Sequence, residues 1–505
     1  MMCSRRPAVA CMARVGCLLL ARRARGSFLP RRLFASRSLL SRLQAHAEAG
    51  RTVILSPNGK EQTYGELLRS ASAIAGRIQS DPAYERNGRV AFLARPGFEY
   101  VCTLLGVWKA GGVAVPLCVT HPDDELRYAI TEADACMVVA SGGDLSERAR
   151  NVSEARACFA VEELATANAY PDTGGACRHV ETDLADPALI IFTSGTTGRP
   201  KGVVLTHGNL EAHTTSLVGA WGWSSNDRIL HVLPLHHLHG LGNKLLCALW
   251  AGASIAFSSP STREVWARLG RAQQDGLTLF MAVPTNYALL LREVDMLGEE
   301  SDLIQEGCRG ARSLRLMVSG SMALPTPVLE RWRQLTGHTL LERYGMSELG
   351  MVLSNPLEGE RVVGAVGTPL PGVQVQLRDP STGERLKAGC EQGGELLVRG
   401  PGVFREYFRR ADATAEAFAP CYDGQGDWFR TGDHARLGED GNYRILGRAS
   451  VDVLKSAGYK ISALEIERVL LEHEAVEEVA IVGVPDDAFG QRVGAIIVPT
   501  EVACV

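Results

Sequence analysis

Past residue 43 the chain alternates helical apolar patterns with short apolar runs. Leu67, Leu68, Ala71 and Ile74 recur at helical spacing and predict a helix over Tyr64–Ser80. Arg89–Leu93 predicts a strand. Phe98–Ala110 predicts a helix that stops at Gly111 and Gly112, and Val113–Leu117 predicts a short buried strand. A polar stretch, Glu181–Asp186, leads into the apolar run Ala188–Phe192, again of strand length. Near the end, Leu464–His473 predicts a helix with Ile466, Val469 and Leu470 on one face. Val476–Val484 and Val493–Pro499 predict two further strands. Strands alternating with helices predict an α/β fold: mixed, mostly parallel sheets flanked by helices. No internal repeat interrupts the alternation.

A chain of 505 residues is long enough for more than one domain and a sizeable core. With 46% apolar and 22% charged residues it is neither disordered nor fibrous. No stretch approaches the length and apolarity of a membrane-spanning helix. A net charge of −4 argues against a nucleic-acid binder. The thirteen cysteines form no CxxC pair, so reduced thiols are expected rather than a zinc site or a disulfide framework. The net charge hides an asymmetry. Residues 1–47 hold ten arginines and no Asp, Glu or Lys; the first acid is Glu48. Arginine-rich, acid-free and interspersed with Leu, Phe, Ala and Ser, this segment predicts a mitochondrial transit peptide and a matrix location. A secretory signal fits less well: its core would be Val15–Ala21, which is short and followed at once by Arg22 and Arg23.

After the Ala188–Phe192 strand comes Thr193-Ser194-Gly195-Thr196-Thr197-Gly198-Arg199-Pro200-Lys201-Gly202. Phosphates need many donors close to their oxygens. Glycine lets backbone amides approach and point inward. Ser194, Thr196 and Thr197 add hydroxyls, and Lys201 adds a flexible charge. The string therefore predicts a cradle for a nucleotide polyphosphate. It is not a Walker A loop, because Arg199 and Pro200 separate Gly198 from Lys201.

The same string resembles the phosphate-loop signature of the adenylate-forming superfamily: acyl-CoA synthetases, luciferases and peptide-synthetase adenylation domains. Five further motifs in order strengthen the resemblance, which extends over residues 60–467. They are Thr63-Tyr64-Gly65-Glu66-Leu67; Leu233–Gly240 (L-P-L-H-H-L-H-G); Tyr344–Glu348 (Y-G-M-S-E); Thr431-Gly432-Asp433; and Gly447-Arg448 with Gly458-Tyr459-Lys460 and Glu465-Ile466-Glu467. The resemblance implies a large N-terminal ATP- and acid-binding domain at 48–448 and a small α+β domain from 449. It implies ATP, Mg²⁺ and coenzyme A, and a two-step ligation through an acyl-AMP. Thr193–Lys201 would hold the β- and γ-phosphates. Glu348 would help hold Mg²⁺, a role that suits a carboxylate toward a hard cation. Ser347 would donate to the α-phosphate, Tyr344 would stack on adenine, and Asp433 and Arg448 would bind ribose. His237 matches a residue between the CoA channel and the acyl pocket. His236, His237 and His239 also suggest a metal triad, but acid or cysteine partners at suitable spacing are missing, so no metal site is expected there.

Within the superfamily, Leu233–Leu241 and Leu341–Glu348 look like the malonyl-CoA synthetases. That likeness implies that Arg343 pairs the free carboxylate of malonate. A buried second carboxylate needs such a partner, and a guanidinium can take it bidentately. A salt bridge from Arg343 to Glu342 or another acid is the structural alternative. The group's second basic residue is replaced by Leu289, with Arg292 three positions on as a possible substitute. Malonate is the expected acid, with methylmalonate or a medium-chain monocarboxylate as alternatives. At the C-terminal end, residues 449–505 contain Lys455 and Lys460 but no lysine in the family's Pro-x-x-x-x-Gly-Lys setting. The sequence therefore predicts an incomplete small domain with an exposed apolar edge, and a chain that binds ATP but adenylates slowly. A non-catalytic nucleotide-binding role is the rival reading. The hinge falls at Ser450, Val451 or Asp452.

Overall fold

The helix predicted from residue 64 begins at a reciprocal cap. The Thr63 hydroxyl accepts from the Glu66 amide at 3.2 Å, and the Glu66 carboxylate accepts from the Thr63 amide at 2.6 Å. The helix Tyr64–Gln79 buries Leu67, Ala71, Ile74 and Ile78 and packs on the helix Phe98–Lys109. Gly106 permits that approach, since a Cβ there would lie 2.6 Å from Ile74 Cγ2. Arg89–Leu93 is a strand with the predicted bounds, and the other predicted elements differ only at their ends: Val113–Pro116, Pro187–Thr193, Ala463–Leu470, Val476–Asp486 and Gly490–Pro499.

This computed structural model describes residues 38–56, 59–154, 156–161, 180–193, 199–390, 393–419, 427–456, 459–486 and 489–500. The expected transit segment up to residue 37 and the phosphate-loop residues Ser194–Gly198 lie outside them. Leu39–Glu48 is a helix of the folded body, with Leu43 buried and the Arg42 guanidinium 4.3 Å from the Trp250 ring centroid. The boundary expected after residue 47 thus falls inside a helix.

Two large sheets carry the α/β architecture. In the nine-stranded sheet the parallel centre runs Leu341–Met346, Leu316–Gly320, Leu279–Ala282, Arg228–His231, Ser254–Phe257, Thr52–Leu55, with antiparallel strands added at both edges. In the seven-stranded sheet Pro187–Thr193, Val113–Pro116, Arg89–Leu93, Met137–Ala140 and Ala157–Ala160 are parallel. Lys201–Thr206 turns back antiparallel beside Pro187–Thr193. One apolar cluster contains Phe92, Leu104 and Ile191 of the second sheet's side together with Ile229, Ile255 and Val318 of the first. The two sheets therefore share a core, and their strand ends open onto one crevice.

A third, antiparallel sheet is built on Gln374–Arg378, Gly394–Arg399, Trp428–Leu437 and Tyr443–Arg448. The C-terminal stretch forms a four-stranded sheet with the helix Ala463–Leu470, held by a small cluster of Leu454, Ala463 and Ile481. It is tied to the body by Arg436–Glu465 at 3.1 Å and by Ser462 Oγ donating to the Leu446 carbonyl at 2.6 Å. Its last strand leaves Ile496, Ile497 and Val498 exposed.

Candidate active site

The crevice lies at the carboxyl ends of parallel strands, where open α/β sheets place ligands. Thr193 and Lys201 flank the phosphate loop as a cross-strand pair, and Thr193 Oγ1 donates to the Lys201 carbonyl at 3.4 Å. Tyr128 anchors the loop's far side. Its hydroxyl donates to the Pro200 carbonyl at 2.8 Å, and the Arg199 guanidinium lies 5.8 Å from its ring centroid. Lys201 Nζ sits 4.5 Å from the centroid of the Tyr407 ring. The Tyr407 hydroxyl donates at 2.8 Å to Glu348 Oε1. Glu348 follows Ser347 in the turn between Leu341–Met346 and Gly350–Ser354. Burial raises the Glu348 carboxyl above its ordinary value, while Tyr407, Arg448 and Lys201 oppose the shift. Tyr407 bonds one oxygen of this buried carboxylate, so the other suits a hard cation that also takes phosphate oxygens; Mg²⁺ needs few protein ligands.

Tyr344, Asp433 and Arg448 converge. The Tyr344 hydroxyl donates to Asp433 Oδ2 at 2.5 Å, and Arg448 Nε meets Asp433 Oδ1 at 3.1 Å. Thr431 fixes the turn: its hydroxyl donates to the Leu396 carbonyl at 2.8 Å and accepts from the Asp433 amide at 3.0 Å. Burial raises the Asp433 carboxyl, against the Tyr344 bond and the Arg448 charge. Residues from three distant motifs are thus joined into one polar group.

Arg343 lies on the same strand as Tyr344 and is 2% exposed. It makes no salt bridge to Glu342, whose carboxylate instead accepts from the Gly364 amide at 3.1 Å. Burial pushes Glu342 up to about 7, against Gly364 and the Arg468 charge. Arg343 Nη2 donates to Ser321 Oγ at 3.3 Å, and Ser321 Oγ lies 3.1 Å from His239 Nδ1. Arg343 Nε and Nη1 are buried without a partner, and burial lowers the guanidinium to about 9. The suggested substitute, Arg292, is engaged elsewhere: its Nη2 meets Glu477 at 2.7 Å and Glu478 at 2.9 Å. Arg292 therefore does not supply the second cation.

The histidine motif separates. His239 faces Ser321, while the rings of His236 and His237 lie tilted at 49° with centroids 4.2 Å apart. His236 also stands 5.5 Å from His121. Among the described residues, the side chains that could share an ion are Cys118, His121 and His236, with ligand atoms within 4.8 Å of one another, rather than the three motif histidines. Burial, then His237 and His121, push His236 down to about 3, so it is neutral near pH 7. Beside it opens a cleft of about 590 Å³ lined by Phe98, Cys118, Thr120, Leu235 and His236.

The AMP-binding enzyme family model matches residues 42–408, and that of the AMP-binding enzyme C-terminal domain matches 465–503. The chain belongs to the AMP-binding enzymes. Among curated relatives, the mitochondrial malonate–CoA ligase of Xenopus laevis is 43% identical, covering 88% of this chain and 81% of that protein. That of Mus musculus is 44% identical, covering 86% and 76%. The solved structure of ATP-bound MatB from Rhodopseudomonas palustris matches with a TM-score of 0.80 at 31% identity, over 93% of this chain and 90% of that one. A malonyl-CoA ligase with methylmalonyl-CoA and AMP bound matches with a TM-score of 0.68 at 37% identity, over 90% of each. This AMP-binding enzyme is an AMP-forming acid–thiol ligase of the acyl-CoA synthetase group, a group that uses ATP, Mg²⁺ and coenzyme A.

Two further buried or partly buried residues escape the motifs. Tyr407 reaches Glu348 across 59 positions, from a two-residue strand, Glu406–Tyr407, paired to Lys201–Thr206. No local pattern signals that. Lys244 is the second: it is wholly buried in the turn after the histidine motif. A lone lysine within the apolar run Leu241–Trp250 is a signal the sequence does carry.

Proposed function

We propose that this chain joins malonate to coenzyme A through malonyl-AMP in the mitochondrial matrix. A malonate carboxylate oxygen attacks the α-phosphorus of ATP and expels pyrophosphate; the CoA thiolate then attacks the acyl carbon and expels AMP. The observation that carries the choice of acid is Arg343, a buried guanidinium with two unpartnered nitrogens and no acid in contact among the described residues. An unpaired buried cation is costly, and a substrate carboxylate removes the cost. Thr193–Lys201 would hold the β- and γ-phosphates, Glu348 the Mg²⁺, Ser347 the α-phosphate, and Tyr344, Asp433 and Arg448 the nucleoside. His237 would line the passage to coenzyme A. The organisation that goes with this reading is an arginine-rich transit segment, a large ATP- and acid-binding domain to Arg448, and a small domain from residue 449. The mitochondrial names of the relatives and the acid-free N-terminal segment support the address.

The test is product analysis by mass spectrometry with ATP, Mg²⁺, coenzyme A and malonate, methylmalonate, acetate or octanoate. Malonyl-CoA and AMP in equal amounts are expected; octanoyl-CoA as the main product would refute the reading. A polypeptide of these 505 residues has no lysine in a Pro-x-x-x-x-Gly-Lys setting after Arg448. The assay is run in parallel with a family C-terminal domain appended.

A further inference from the structure

Lys244 is 0% exposed, and its Nζ has no hydrogen-bond partner. It sits in a π-helical turn, Leu241–Leu246, directly after His239 and Gly240. Such wide turns are uncommon in helices and cluster at functional sites. The lysine shares its surroundings with Arg343 and His239: the charges of Lys244 and Arg343 each act on His239, and that of Arg343 acts on Lys244. His239 Nε2 is buried and unpartnered, and so is Asn243 Nδ2, whose amide oxygen lies 2.9 Å from His213 Nε2. Together with Arg343 Nε and Nη1, these unpartnered atoms are all N–H donors or nitrogens able to become donors. Among the described residues, no carboxylate acts on Lys244 or Arg343: burial lowers Arg343, and burial with the Arg343 charge lowers Lys244 well below its ordinary value. Buried donors without an acceptor are costly, and Lys244 Nζ, Arg343 Nε and Nη1, His239 Nε2 and Asn243 Nδ2 have none among the described residues; a bound anion would supply it and would hold Lys244 in its charged form. The missing partner accepts several hydrogen bonds and carries negative charge, as a carboxylate does.

We propose that Lys244 is the second cation of the acid pocket, holding with Arg343 the distal carboxylate of a short dicarboxylic acid. This deepens the malonate reading and rests on it. It also accounts for Leu289, which is 42% exposed and leaves the group's usual second basic position empty. The cation is delivered from the turn after the histidine motif instead of from the helix Pro284–Leu297.

The experiment compares the full chain with K244M and, should that variant fold poorly, K244Q. Two quantities are read: the ratio of kcat/KM for malonate to that for acetate, and the Tm shift produced by malonate in the presence of Mg²⁺ and α,β-methylene-ATP, whose α–β bridge does not break, so that no pyrophosphate leaves. Removing one partner of a buried charge pair is expected to lower the ratio by roughly thirtyfold or more and to abolish most of the malonate-induced Tm shift. A merely structural lysine would change Tm without changing the ratio. If the wild-type chain prefers malonate and the variants keep both that preference and the shift, the inference is overturned while the malonate reading stands. If the wild-type chain shows no preference for malonate over acetate, the malonate reading is overturned and the inference with it.

Discussion

Arg343 and Glu342 are adjacent in sequence, point to different partners, and titrate for the same reason: both are buried without full compensation. Replacing Arg343 with methionine removes the guanidinium that the distal carboxylate needs. The kcat/KM for malonate in R343M is expected to fall by roughly a hundredfold or more, with that for acetate falling far less. Equal losses for both acids would contradict the assignment. Glu342 makes a separate prediction about stability. Its folded value, about 7, is above the ordinary 4.5, so the native state holds a proton that the unfolded chain has released. Stability therefore falls as pH rises from the ordinary value through the folded one, by up to roughly 3 kcal/mol. Urea unfolding should show E342Q gaining on the wild type between pH 5 and pH 8; parallel curves would refute this. Of the residue-scale picture, Tyr344, Glu348, Asp433 and Arg448 are legible in the sequence because each sits in a short motif. The Tyr344–Asp433 bond is not, because it joins positions 89 apart and depends on how two sheets meet.

At the scale of elements, the helices and parallel strands follow from periodicity and caps, because both are local. The helix Tyr64–Gln79 shows its start in Thr63 and Glu66 and its buried face in Leu67, Ala71 and Ile74. T63A is expected to cost about 1 kcal/mol in chemical denaturation. Gly106 reads in the sequence only as a weak helix position. Its reason is across the helix pair, where a Cβ would meet Ile74. G106A is therefore expected to destabilise by about 1–3 kcal/mol despite alanine's better helix propensity. A stabilised G106A would contradict the packing account. Lys244 has the opposite character. Its burial is foreshadowed by the apolar run around it, but its nearness to the charges of Arg343 and His239 follows only from long-range packing, in which the turn Leu241–Leu246 meets the strand Gly350–Ser354.

For the whole molecule, the α/β class is legible from alternation alone, whereas the strand order of the nine-stranded sheet, the third sheet's place and the delivery of Tyr407 to Glu348 are set by long-range pairing. The C-terminal sheet meets the body through polar contacts, among them Arg436–Glu465 and Arg292 with Glu477 and Glu478. These ion pairs are partly exposed, so R292A is expected to change global stability by less than about 1 kcal/mol. On the proposed reading, buried cationic side chains around Arg343 select a dicarboxylic acid. The most direct test is exchange of labelled pyrophosphate into ATP by the full chain with malonate, acetate and octanoate at equal concentration. The rank order of the acids is the readout. Malonate first, by a margin that R343M erases, is the predicted result; octanoate or acetate first would contradict the account.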